Sequence, residues 1–110
     1  MKIKKWNIYL ADLNPAHKAE PGKVRPVVVV QTDLLNNTHP TTIICPITSN
    51  VEKKASLLRV NVKIAELKKD SDILVDQIRA IDNTRFKKFI GVLGESAVKK
   101  LKENLYSILD

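Results

Sequence analysis

Pro26-Val27-Val28-Val29-Val30 is the stretch on which the fold turns. Four consecutive valines are stiff at the first side-chain torsion, which suits an extended chain better than a helix. No polar residue alternates among them, so the segment reads as a strand buried on both faces or within a small barrel. Thr41 to Ile47 (Thr-Thr-Ile-Ile-Cys-Pro-Ile) repeats the pattern. Around this pair, Asn7 to Leu13 alternates loosely, Leu57 to Val62 alternates cleanly, and Ile73 to Ile81 is read as one further strand. The chain changes period at its end. From Glu95 or Ser96 onward Val98, Leu101, Leu105 and Ile108 follow three-and-four spacing, with Lys99, Lys100, Lys102 and Glu103 on the other face. Ser96, after Gly94, is the capping residue expected for its first turn. Strands first and a helix last predict one α+β domain over residues 1–110, a small, half-open SH3-like β-barrel covered by a C-terminal α-helix.

The composition fits that size. A chain of 110 residues, 44% apolar and 28% charged, is an ordinary globular domain rather than a disordered segment or a two-domain enzyme. Cys45 has no second cysteine to pair with, and within Ile43-Ile44-Cys45-Pro46-Ile47 it reads as core packing in a reducing, cytoplasmic protein. No apolar run approaches the ~20 residues of a membrane span, and no signal-peptide core follows the Lys-rich start, so no membrane association is expected. The net charge of +7 favours a polyanionic partner, above all nucleic acid. Six basic residues fall in the first 25 and seven more between Arg79 and Lys102, with no long basic run, so any positive surface must be assembled by folding. Trp6, Tyr9, Phe86, Phe89 and Tyr106 are too scattered for a base-stacking platform, which leaves backbone charge and polar contacts to hold such a ligand.

Much chemistry is excluded by inventory. His17 and His39 sit in separate loops, and with a single cysteine they give no metal-ligand spacing, so no metal or cofactor is expected. Gly22, Gly91 and Gly94 are too dispersed for a phosphate loop. A two-histidine ribonuclease would need His17 and His39 to meet across a cleft; both read instead as loop surface. Two polar clusters remain. Glu20-Pro21-Gly22-Lys23-Val24-Arg25-Pro26 leads from a long loop into the valine strand, and Arg25 stands at the entry. A guanidinium so placed needs a partner, either an internal carboxylate such as Glu20 or Asp76 or the paired oxygens of a bound phosphate. Thr48-Ser49-Asn50 ends the second buried strand. If the two strands are neighbours, Arg25 and Thr48 share one end of a sheet, where cation and hydroxyl together could clamp a phosphodiester.

With those residues in view the chain resembles the MazF/PemK toxins of bacterial toxin–antitoxin pairs, which share a fold with the CcdB toxins. The resemblance runs through Ile8 to Pro15, Glu20 to Val29, Ile44 to Thr48 and Asp76-Gln77-Ile78-Arg79-Ala80-Ile81-Asp82, in order over nearly the whole chain. It implies a homodimer and a metal-independent endoribonuclease acting on single-stranded RNA. It also implies a cognate antitoxin whose acidic, disordered C-terminal segment blocks the basic groove, with operator DNA contacted only through that antitoxin. Attack of a ribose 2′-hydroxyl on the adjacent phosphate leaves a cyclic phosphate and a free 5′-hydroxyl. By the same resemblance Arg25 and Thr48 are the catalytic pair; Glu20 is the candidate for orienting the 2′-hydroxyl, and no general base is assigned. RNA contacts fall on Lys23, Asn36, Asn37, Ser49, Gln77, Arg79 and Arg85. A guanidinium with a pKa above ~12 is a poor base, so Arg25 is read as a charge clamp. Two other readings compete: a CcdB-like toxin that binds DNA gyrase without catalysis, and a plain SH3-like module that binds nucleic acid and leaves it intact.

Overall fold

The computed structural model describes residues 1–13, 24–54 and 58–110. Among them are seven strands: β1 (Asn7–Asp12), β2 (Val24–Val29), β3 (Thr41–Thr48), β4 (Arg59–Lys63), β5 (Asp70–Leu74), β6 (Arg79–Asp82) and β7 (Phe86–Val92), followed by helix α1 (Glu95–Leu109). All pairings are antiparallel. The sheet runs β4-β5-β3-β2-β1-β7, with β6 also paired to β3. One edge of β3 meets β2; its other edge is shared, Thr41 to Ile44 facing β6 and Ile47–Thr48 facing β5.

The valine strand is buried on both faces, as its composition requires. Val28 belongs to a core with Ile8, Cys45, Ile47, Val60 and Ile73, over which α1 lays Leu101 and, at its margin, Ala97, Val98, Leu105 and Ile108. Val27 and Val29 point the other way, into a second core with Tyr9, Ala11, Ile44, Ile81 and Phe86. The Tyr9 ring meets Phe86 and Phe89 edge-on. Removing one buried valine methyl group from either core exposes a cavity that neighbours refill only in part, so each alternate residue of β2 supports a different layer.

The structure departs from the sequence reading in several places. The segment Ile73 to Ile81 is not one strand: β5 ends at Leu74, a 3-10 turn covers Val75–Gln77, and β6 starts at Arg79. The break lets both segments pair with the same edge of β3. Strand β7 was not foreseen, because Lys87-Lys88 interrupts its alternation and its pairing with β1 shifts register twice. Helix α1 has Gly94 at its N-cap with no side-chain cap hydrogen bond, so Ser96 lies inside the first turn instead of closing it. Leu57, the first residue of the alternating run before β4, is outside the described residues; Leu58 is a turn residue and the strand begins at Arg59. No helix among the described residues is long and apolar enough to cross a membrane.

Candidate RNA-cleavage site

The β2–β3 register places the two sequence clusters together. Val29 faces Ile44, Val28 faces Cys45 and Val27 faces Pro46, the last pair of that ladder; just beyond it, at the end of the two strands, come Arg25 and Thr48. Strand alternation puts both on the face of the second core, since Arg25 follows the parity of Val27 and Val29, and Thr48 that of Ile44. Both are half-buried. They line one cavity of about 420 Å³ with Ser49, Leu67, Lys69 and Ser71. Cavities of such volume accommodate small ligands or parts of larger ones. The described residues that line it include two cations, Arg25 and Lys69, and three hydroxyls, but no carboxylate. That is an anion-binding chemistry. A cavity of about 490 Å³ between Trp6, Val92, Val98 and Tyr106 is larger but mixes Lys5, Lys99 and Lys102 with Glu95 and Glu103. Size therefore does not pick the site; the guanidinium set beside hydroxyls at the strand ends does.

Each wall has a local cause. β3 ends where the backbone N–H of Asn50 donates to Thr48 Oγ1 at 3.1 Å, a hydroxyl-closed turn that removes the chain from the sheet. Arg59 and Asp72 form an ion pair, and none between Arg25 and Asp76 is found among the described residues. Glu20, the other carboxylate weighed for Arg25, lies outside the described residues, as do Lys23 and the loop histidine His17. Ser71 is buried and donates to the Lys69 carbonyl at 3.2 Å, which fixes the start of β5 beneath Lys69.

The remaining sites anticipated from sequence divide into two groups. Arg85 is half-buried at the same end of the sheet, its Nη1 donating to the Asp12 carbonyl at 3.1 Å, and Asp12 faces Val24 across β1–β2. Gln77 is exposed on the 3-10 turn beside β3. Arg79 is exposed at the start of β6 opposite Ile44, on the face shared with Thr48 and about 13 Å from it along β3. None of these three is among the described residues that line the Arg25–Thr48 cavity. Asn36 and Asn37 lie in the β2–β3 connection, at the other end of both strands. Asn36 is 4% exposed; its amide donates to the Gln31 carbonyl and to Asp33, and its oxygen accepts from Gln31. Asn37 brackets Ile3, accepting from its N–H at 2.7 Å and donating to its carbonyl at 2.8 Å. Both asparagines hold the fold through these bonds, Asn36 from a buried position and Asn37 from an exposed one. His39 is in the same connection, away from the cavity. Cys45 is fully buried; burial, followed by the nearby Asp76 charge, pushes its thiol up to about 12, so it is no nucleophile.

Lys69 and Ser71 were missed by sequence reasoning. Lys68-Lys69-Asp70-Ser71 looks like a solvated charged turn, and only the pairing of β5 with β3 brings it beside Thr48.

Comparison with known proteins identifies the family and the fold. Residues 4–109 match the family model described as PemK-like, MazF-like toxin of type II toxin-antitoxin system. The fold is similar to that of MazF from Deinococcus radiodurans, with a TM-score of 0.81 at 20% identity over 99% of this chain and 97% of that one. It is also similar to the Mycobacterium tuberculosis toxin MazF-mt6, with a TM-score of 0.76 at 23% identity, covering 92% and 93% of the two chains. A mycobacterial endoribonuclease in complex with its cognate antitoxin superimposes with a TM-score of 0.73 at 13% identity, over 96% and 90%. With a match along almost its entire length, the chain belongs to the PemK/MazF toxin family of type II toxin–antitoxin systems.

Proposed function

We propose that this toxin is a metal-independent, sequence-specific endoribonuclease that cuts single-stranded messenger RNA and thereby stops translation and growth. The observation that supports the reading is the cavity at the neighbouring ends of β2 and β3, whose described lining brings the Arg25 guanidinium and the Thr48 hydroxyl together with Lys69, Ser49 and Ser71. The scissile phosphate lies between them. The ribose 2′-oxygen forms a bond to phosphorus as the bond to the 5′-oxygen breaks, giving a 2′,3′-cyclic phosphate and a 5′-hydroxyl. Negative charge accumulates on the non-bridging oxygens along that path. A fixed guanidinium and a fixed hydroxyl therefore hold the transition state more tightly than the substrate, each such donor being worth about 3 kcal/mol. Glu20 orients the 2′-hydroxyl. Lys23, Ser49, Gln77, Arg79 and Arg85 hold the flanking RNA.

The toxin acts as a homodimer and is neutralised by a cognate antitoxin. A cationic groove that accepts RNA accepts an acidic peptide for the same electrostatic reason, and a disordered acidic segment that folds on docking would occupy it. A relative of the same fold is known in complex with its antitoxin.

The test is digestion of a long, defined RNA by purified protein in EDTA, with cut sites mapped by primer extension and product ends assigned. Cuts at a short recurring motif, with cyclic-phosphate and 5′-hydroxyl ends, are expected. RNA that is bound in a salt-sensitive way but stays intact would make the protein a nucleic-acid-binding module and overturn the reading.

A further inference from the structure

The Thr48 hydroxyl is the outer end of a chain of polar contacts that begins in the protein interior. Its Oγ1 accepts from the Asn50 backbone N–H at 3.1 Å. The Asn50 carbonyl accepts from Arg59 Nη1 at 2.7 Å. That nitrogen has two hydrogens, and it also lies 3.3 Å from Asp72 Oδ2. Asp72 is the residue facing Thr48 across the β3–β5 pair and is 2% exposed. Its carboxylate is fully engaged: Oδ2 also accepts from the Glu52 N–H at 2.9 Å, and Oδ1 from Asn61 Nδ2 at 3.1 Å.

We propose that Arg59 and Asp72 are positioning residues for the Thr48 hydroxyl. This rests on the reading of Thr48 as a donor to the scissile phosphate. A hydroxyl has one proton and two lone pairs, and its proton swings freely unless an acceptor site is occupied. The Asn50 N–H occupies one, which keeps the Thr48 hydrogen from pointing back at the turn and leaves it for an acceptor in the cavity. The peptide that supplies this N–H would otherwise be an exposed turn. Arg59 holds its carbonyl, and Asp72 holds Arg59 from a buried anchor that itself pins the next turn through Glu52. The donor is thus oriented before RNA arrives, and no ordering has to accompany the reaction. A role in stability alone does not account for the pattern. Half-exposed and buried ion pairs alike contribute little net stability compared with an apolar pair of similar volume, and here the shared nitrogen of the partly exposed Arg59 is aimed at the turn that ends β3 beside the site.

The test is a double-mutant cycle on single-turnover cleavage of a defined RNA. Arg59→Met is expected to slow cleavage about tenfold, the effect of one charge-assisted hydrogen bond, while the RNA dissociation constant stays within about twofold. In a Thr48→Ala background the same substitution is expected to change the rate by less than about twofold, since the hydroxyl it positions is gone. Equal slowing by Arg59→Met in both backgrounds, or an unchanged rate in the wild-type background, overturns the proposal. A Thr48→Ala protein that cuts as fast as wild type refutes instead the role of Thr48 itself, so the two failures are separable. Should Arg59→Met not fold by circular dichroism, Arg59→Lys runs through the same cycle. It keeps a charge beside Asp72 but loses the planar fork that bridges to Asn50. Equal slowing in both backgrounds overturns the proposal there as well.

Discussion

The β2–β3 pair ends in polar residues at both poles, and the two poles use them differently. At the connecting pole, Gln31, Asp33, Asn36 and Asn37 bond to one another and to the backbone of Ile3, Lys5, Gln31 and Ile43. At the open pole, Arg25 is left without an ion-pair partner among the described residues and shares a cavity with Lys69 and three hydroxyls. Residue type does not separate the poles, since asparagine and threonine are equally able to bind RNA or close a turn. What separates them is whether the polar atoms are already satisfied. A buried amide with all its partners inside the protein is structure; a half-buried cation facing a cavity is an invitation to an anion.

The sharpest way to break this contrast is at the open pole. Arg25→Ala should reduce cleavage of a defined RNA by at least about a hundredfold, and relieve growth arrest, while circular dichroism and mass in solution stay as in wild type. Thr48→Ala should slow the chemical step by about ten- to a hundredfold with little change in RNA affinity; equal losses in both would move it from chemistry to docking. At the connecting pole the effects should be inverted. Asn36→Ala strands Gln31 and Asp33 and should cost about 1–3 kcal/mol in urea denaturation, with the cleavage rate of the folded fraction unchanged. Lys69→Ala should weaken RNA binding modestly and flatten its salt dependence by about 0.7 in log–log slope, as expected for one phosphate contact to a single strand.

The smallest effect is set by acid. Burial works to raise the Asp72 carboxyl, but hydrogen bonds from Glu52, Asn61 and Arg59, together with the Arg59 charge, outweigh it and hold the group below the usual carboxylate value. Asp33 is lowered chiefly by its bond from Asn36 and then by the Lys5 N–H. A carboxyl depressed in the folded state contributes stability above the unfolded value of about 3.9 and loses it as pH falls through the folded value. Both poles should therefore loosen only in strong acid, and Asp72→Asn should flatten the decline of thermal stability measured from neutral pH down through that window.

Legibility from sequence followed the same division. The valine run announced β2, and three-and-four spacing announced α1, because burial imposes a period on the chain. The break at Val75–Gln77 and strand β7 were hidden. In the first case two strands pair with one edge of β3, and in the second the outward lysines of β7 mask its alternation. For the site, Arg25 and Thr48 stood out as polar residues at the ends of apolar strands. Lys69 did not, since its place beside Thr48 is created by a pairing between segments more than twenty residues apart. Asn36 and Asn37 show the converse: family resemblance suggested a contact, and local hydrogen bonds had already claimed the side chains.

Sulfur substitution at the scissile phosphate tests the central claim most directly. With a single non-bridging oxygen replaced by sulfur, wild-type protein should cut one of the two diastereomers about tenfold more slowly, as a charge-assisted hydrogen bond to Arg25 is weakened. Arg25→Lys, slower overall, should lose most of that discrimination because its ammonium lacks the fixed fork. The same discrimination in both proteins would mean that Arg25 does not hold the phosphate that breaks.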